Sequence, residues 1–212
     1  MKNILCYGDS NTWGYTPGTC LRYAPDVRWT GVCQKELGEE YHIIEEGLNA
    51  RTSAYDDPWE FWRNGRDYLP GCLISHKPLD LLVISLGTND LKFTDAFGAS
   101  KGVDSLMALA SMVQNKVESS LVFPEGLKIL VIAPIELGEA IDQNIGSVFC
   151  GKYAESKRFM EFLPIFCKAR GAELLNAADY AKPSTIDNVH MLPESHLALG
   201  KAVAAKIREM LG

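Results

Sequence analysis

Leu79-Asp80-Leu81-Leu82-Val83-Ile84-Ser85-Leu86-Gly87 is an almost unbroken apolar run that ends in the polar triplet Thr88-Asn89-Asp90. A strand with one wet face alternates, whereas a strand covered on both faces reads as a continuous hydrophobic stretch, the pattern of a parallel sheet enclosed by helices. Working outward, Tyr41 to Gly47 reads as a short strand followed by the loop Leu48-Asn49-Ala50-Arg51-Thr52. The run from Lys2 to Tyr7 stops at Gly8 and passes into Asp9-Ser10-Asn11-Thr12, so it reads as strand, sharp turn and polar loop. Towards the C-terminus, Lys128 to Ala133, closed by Pro134, and Ala172 to Asn176 supply two further strands.

Helical signals fill the gaps. Pro25 to Gly38 carries an apolar stripe at Trp29, Val32, Cys33 and Leu37, and a second helical stretch after the Asp56 to Asp67 segment ends near His76. Val103 to Leu121 has Leu106, Leu109, Val113 and Val117 at helical spacing; Lys152 to Arg170 reads as one helix that Pro164 is expected to kink; Pro193 to Leu211 is the last. Glu136 to Gly151 shows no periodicity and reads as a mobile loop over the site. Strands alternating with helices imply right-handed crossovers and an α/β fold, a three-layer α/β/α sandwich of about five parallel strands in the flavodoxin-like order.

Composition narrows the function. The 212 residues fit one domain spanning 1–212, and 47% apolar residues are enough for a buried core. A net charge of −6 without clustered Lys and Arg argues against a nucleic-acid partner. No apolar segment is long enough to cross a bilayer, and the N-terminal run is too short for a signal peptide, so no membrane partner is expected and the chain reads as cytoplasmic. Cys6, Cys20, Cys33, Cys72, Cys150 and Cys167 show no Cys-x-x-Cys pair or nearby histidine spacing, so they read as reduced thiols, with no metal site and no cofactor.

In an open α/β sheet, ligands bind at the carboxyl ends of the strands. Four polar loops fall there: Gly8-Asp9-Ser10-Asn11, Gly47 to Thr52, Gly87-Thr88-Asn89-Asp90, and Asp187-Asn188-Val189-His190. This set resembles, in order and across the whole chain, the four blocks of the SGNH or GDSL-type hydrolases, esterases and acyltransferases on a flavodoxin-like sheet. Glu45 to Thr52 and Pro25 to Gly31 further resemble the bacterial arylesterase and acyltransferase branch.

The residues themselves support nucleophilic chemistry. A serine hydroxyl attacks an ester at neutral pH only if a base takes its proton during attack. His190 is the candidate base for Ser10, and Asp187, three residues earlier, can orient it if the loop closes in a single turn. Ser10, Asp187 and His190 are therefore the candidate catalytic residues. The resemblance implies an oxyanion hole from the backbone amides of Ser10 and Ala50 and the side-chain amide of Asn89. Many family members carry glycine where this chain has Ala50; the methyl group narrows the space and favours small acyl groups. Asn11, Trp13, Tyr15 and Asn49 are candidates for lining a substrate pocket.

Plainer readings exist for several of these. Asp9 or Ser10 can cap a helix, His196 is a rival base better suited to a backbone bond, and Asp9 and Asp90 fix loops by accepting amides. His42 and His76 show no companions. The expected function is a serine esterase acting through an acyl-enzyme on short-chain, acetyl-type esters, with transfer to alcohols as an added capacity and a small-molecule ester as partner. The alternative is a non-catalytic module that binds an acylated sugar or nucleotide. The resemblance also implies a homo-oligomer.

Overall fold

The computed structural model describes residues 1–114 and 121–212. Five strands form one sheet: β1 (Lys2–Gly8), β2 (Tyr41–Gly47), β3 (Leu81–Ser85), β4 (Ile129–Ala133) and β5 (Glu173–Asn176). Every pairing is parallel and the order is β2-β1-β3-β4-β5, the flavodoxin-like arrangement expected from the alternation.

Period-2 side-chain alternation divides the interior into two cores. Ile4, Cys6, Leu81, Val83, Leu130 and Ile132 point to one face, where α2 (Trp29–Leu37) and α7 (Pro193–Leu211) cover them with Trp29, Cys33, Leu199 and Val203. Leu5, Tyr7, Leu82, Ile84, Ile129 and Val131 point to the other, under α3 (Gly65–Ser75), α4 (Ala96–Gln114) and α6 (Phe159–Arg170). β3 is buried along its length from Leu81 to Ile84, as its unbroken apolar run requires.

Some boundaries differ from expectation, each for a local reason. The first long helix opens at Trp29 rather than Pro25, because Val27 and Arg28 both turn back onto the Ala24 carbonyl. α4 begins at Ala96, seven residues before Val103; Gly102 packs so closely on Ser53 and Asp90 that a Cβ would collide with the Ser53 hydroxyl. Val117, placed on the same periodic pattern, lies outside the described residues.

The stretch read as one helix from Lys152 is instead two: α5 (Tyr153–Ser156) and α6, broken at Lys157-Arg158. Pro164 sits inside α6, so the break is not at the proline; the carbonyl that loses its intrahelical partner belongs to exposed Met160. Between β4 and α5, the segment Glu136–Gly151 contains a 3₁₀ turn at Glu139–Gln143 and buries Leu137, Ile141 and Phe149.

Candidate active site

The site begins where β1 ends. Gly8 and Gly47, neighbours in register at the ends of β1 and β2, have no room for a Cβ, which would strike the Thr12 side chain and the Trp13 backbone respectively. Their bareness lets the short helix α1 (Ser10–Trp13) fold directly over the sheet edge. Asp9 caps it, accepting the Asn11 amide at 3.0 Å, and Gly14 closes it in the left-handed region. The capping reading and the presentation of Ser10 are thus one device: Asp9 caps, and Ser10 opens the helix.

The C-terminal loop meets it from the other end of the chain. Asn188, at a φ of 62°, makes the left-handed step that turns Asp187 back onto His190. Asp187 Oδ2 lies 2.7 Å from His190 Nδ1, and His190 Nε2 lies 2.9 Å from Ser10 Oγ. Asp187 Oδ1 also accepts the Ser184 hydroxyl and the amides of Val189 and His190. Burial pushes the Asp187 carboxyl up, but the hydrogen bonds from the His190 ring and amide outweigh it, and the net pKa falls to about 2. A hydroxyl, an imidazole and an ionised carboxylate in line can move a proton off the hydroxyl as it attacks.

An open cleft of about 500 Å³ gives access to Ser10 and His190, and Asn49, Ala50 and Asn89 line it. Ala50 has a φ of 63°, a left-handed conformation that explains why glycine suits this position. Asn89 sits in a 3₁₀ turn, Asn89–Lys92, just past β3. Among the described residues, the amides of Ser10 and Ala50 and the side-chain amide of Asn89 have no hydrogen-bond acceptor in the protein. The buried Asp90 carboxylate locks this turn to the β2 loop by accepting the Ser53 amide and hydroxyl, and burial raises its pKa to about 7.

The remaining candidates divide. Tyr15 lines the cleft and lays its ring on His190, centroids 4.3 Å apart. Asn49 lines it too, its buried Oδ1 without a partner among the described residues. Asn11 reaches the cleft, but its side-chain amide is spent bonding the Val189 carbonyl and Met191 amide, so it pins the histidine loop. Trp13 is not in the cleft: it lies against Arg22, whose guanidinium is 5.2 Å from its ring centroid.

A family model described as GDSL-like lipase/acylhydrolase matches residues 6–197. The chain belongs to that family. Among solved structures, Est24, a carbohydrate acetylesterase from Sinorhizobium meliloti, is 36% identical with a TM-score of 0.91, covering 99% of this chain and 100% of that one. A second carbohydrate acetylesterase family member from Sinorhizobium meliloti is 37% identical with a TM-score of 0.89, covering 100% of each chain. The aryl esterase of M. smegmatis is 33% identical with a TM-score of 0.90, covering 99% of each. None of the curated proteins matches the sequence.

In this GDSL-family chain Asp9 and Lys92 also line the cleft, whereas His196 and the thiols of Cys33, Cys72 and Cys167 lie away from it. His196 is fully buried; its Nδ1 accepts the Trp29 amide at 3.3 Å, and burial, with His190 and Arg28 nearby, lowers its pKa to about 4. It is the backbone-bonded histidine that the helix position implied. Buried Asp9 is raised to about 6 despite the Asn11 amide. Burial raises the thiols of Cys33 and Cys72 to about 12 and Cys167 to about 11.

The Glu136–Gly151 segment lies over the site, where the sequence places a loop: Val148 and Phe149 wall the cleft, and the Gly138 amide ties the segment down by bonding the Asn188 carbonyl at 2.8 Å. Other residues carry roles that the sequence did not signal. Buried Arg51 donates to the carbonyls of Gly8 and Glu46 and lies 4.0 Å from the Tyr7 ring centroid, clamping the ends of β1 and β2. His76 does have a companion: its Nε2 is 2.7 Å from Glu46 Oε1, with Cys72 beside both, a pairing across 30 residues that no local spacing reveals. No described helix is long and apolar enough to cross a membrane.

Proposed function

We propose that this protein is a serine esterase that hydrolyses short-chain, acetyl-type esters through an acyl-enzyme. The continuous path from Ser10 Oγ through the His190 ring to the Asp187 carboxylate, 2.9 Å and then 2.7 Å, carries the reading. Ser10 Oγ bonds to the ester carbonyl carbon while its proton passes to His190 Nε2. Asp187 holds the imidazole in the tautomer with hydrogen on Nδ1 and stabilises the imidazolium. The carbonyl oxygen takes negative charge and is met by the amides of Ser10 and Ala50 and the Asn89 side chain, each such donor worth about 2.7–4 kcal/mol in the transition state.

The carbonyl re-forms, the C–O bond to the alcohol breaks, and His190 returns its proton to the departing oxygen. Water, deprotonated by His190, then bonds to the acyl carbon; the bond to Ser10 Oγ breaks, Oγ takes the proton back from His190, and the acid leaves; an alcohol in place of water gives transfer. The Ala50 methyl beside the oxyanion and the apolar wall at Val148 and Phe149 favour a small acyl group. The neighbours' names, carbohydrate acetylesterase and aryl esterase, fit small esters of differing alcohols, and the alcohol faces the open side of the cleft. Self-association belongs to the same proposal: Trp59, Phe61 and Trp62 are exposed together on one loop, an apolar surface of the kind that a second copy covers.

The test is a panel of esters varied in acyl length and alcohol, with and without a competing acceptor alcohol. Fast turnover of acetate esters, falling as the acyl chain lengthens and abolished in Ser10→Ala, is the expected result. Undiminished turnover in Ser10→Ala would reject the mechanism.

A further inference from the structure

Away from the cleft, three unlike donors converge. Glu46 is the penultimate residue of β2, and Cys72 and His76 stand four apart on α3 and its C-cap, which puts both on one face of the helix. The Cys72 sulfur, a His76 ring nitrogen and a Glu46 carboxylate oxygen all lie within 4.8 Å of one another. Glu46 and His76 are partly exposed, which gives access from solvent, and Glu46 also borders a surface recess of about 430 Å³ with Arg51, Asp67 and Tyr68.

We propose that Glu46, Cys72 and His76 bind a borderline-soft divalent cation of the Zn²⁺ class, with a fourth position taken by water from the exposed side of Glu46 and His76. One sulfur, one nitrogen and one oxygen donor suit zinc, whereas magnesium and calcium take oxygen ligands. Metal–ligand distances of about 2.0–2.3 Å in a tetrahedron require donor atoms roughly 3.2–3.8 Å apart. Side-chain rotation of His76 and Glu46 closes the remaining gap. The hydrogen bond between them holds both near position beforehand and breaks on binding.

The Cys72 S–H bond also breaks, the metal–sulfur bond forms, and the thiol proton leaves to solvent. Thiolate and carboxylate together offset the cation's charge. The guanidinium of Arg51 is engaged by the carbonyls of Gly8 and Glu46, and the Tyr68 hydroxyl sits 3.5 Å from Glu46 Oε1. The site is independent of the ester-hydrolysing reading.

The experiment is calorimetric titration of the full chain with Zn²⁺, in a Cys20→Ser, Cys150→Ser background that removes the more exposed thiols. Two buffers of different ionisation enthalpy report the released proton. One equivalent of metal should bind with release of a proton. Substituting Co²⁺ should give a thiolate-to-cobalt charge-transfer band in the near ultraviolet. Cys72→Ser should abolish that band, and either Cys72→Ser or His76→Gln should weaken binding roughly 100-fold or more.

His190→Ala should bind as the background protein does, which separates this site from the cleft. If Cys72→Ser fails to fold, His76→Gln at the half-exposed helix cap decides alone. Absence of stoichiometric binding, binding untouched by His76→Gln, or binding lost with His190→Ala would each overturn the proposal.

Discussion

Asp187 receives four hydrogen bonds, from the Ser184 hydroxyl, the amides of Val189 and His190, and the His190 ring. Those bonds hold its folded pKa near 2, below the unfolded value of about 4. The ionised carboxylate therefore stabilises the fold above about pH 4, and that contribution is lost as pH falls through about 2. Asp187→Asn should flatten the acid limb of a urea-unfolding series, and should cut kcat roughly 10⁴-fold by favouring the wrong imidazole tautomer. Asp90 works in the opposite sense: with its folded pKa raised to about 7, the fold loses stability as pH rises from about 4 to 7. Asp90→Asn, which keeps an acceptor for the Ser53 hydroxyl, should make that decline shallower in the same measurement. Ala50 holds a φ of 63° at the candidate oxyanion position, so Ala50→Gly relieves strain and opens space. Steady-state kinetics should show acetate turnover retained and the butyrate-to-acetate ratio raised. Asn89→Ala should lower kcat about 10²- to 10³-fold without unfolding the chain.

At the scale of elements, the bounds that were legible are those set by an element's own patterning. β2 matches its expected bounds of Tyr41 to Gly47 and α7 its bounds of Pro193 to Leu211, because their patterning and end signals are their own. α4 starts seven residues early, at Ala96: Asp95 caps it, accepting the Gly98 amide at 2.8 Å, and Glu155, 59 positions away, accepts the Ala96 amide at 2.9 Å. At the break between α5 and α6, Arg158 pairs with Glu155 and Glu161 on either side. Gly47 shows the reverse dependence: its place in β2 is legible, but the reason for glycine is the Trp13 backbone pressed against it. Gly47→Ala should destabilise the fold by about 1–3 kcal/mol, read as a shift in the urea midpoint. It should also lower kcat, since the displaced element is the one that carries Ser10.

For the whole molecule, the exposed aromatics Trp59, Phe61 and Trp62 set the last prediction. Light scattering should give a mass above that of one chain, and the double variant Phe61→Ser, Trp62→Ser should shift it towards the monomer; a monomeric parent would remove self-association from the proposal. The sequence by itself determined the layer architecture, because hydrophobic periodicity is a property of each segment and a parallel sheet leaves little choice of crossover. It also supplied the meeting of Ser10, Asp187 and His190, since loops at the carboxyl ends of parallel strands must share one rim. Only the tertiary structure decided that Trp13 turns away to Arg22, that Asn11 pins the histidine loop, that Arg51 clamps two strand ends, and that Glu46 meets Cys72 and His76. The physical reason is the same in each case: a side chain's direction and partners are set by atoms far along the chain, which spacing and propensity do not encode.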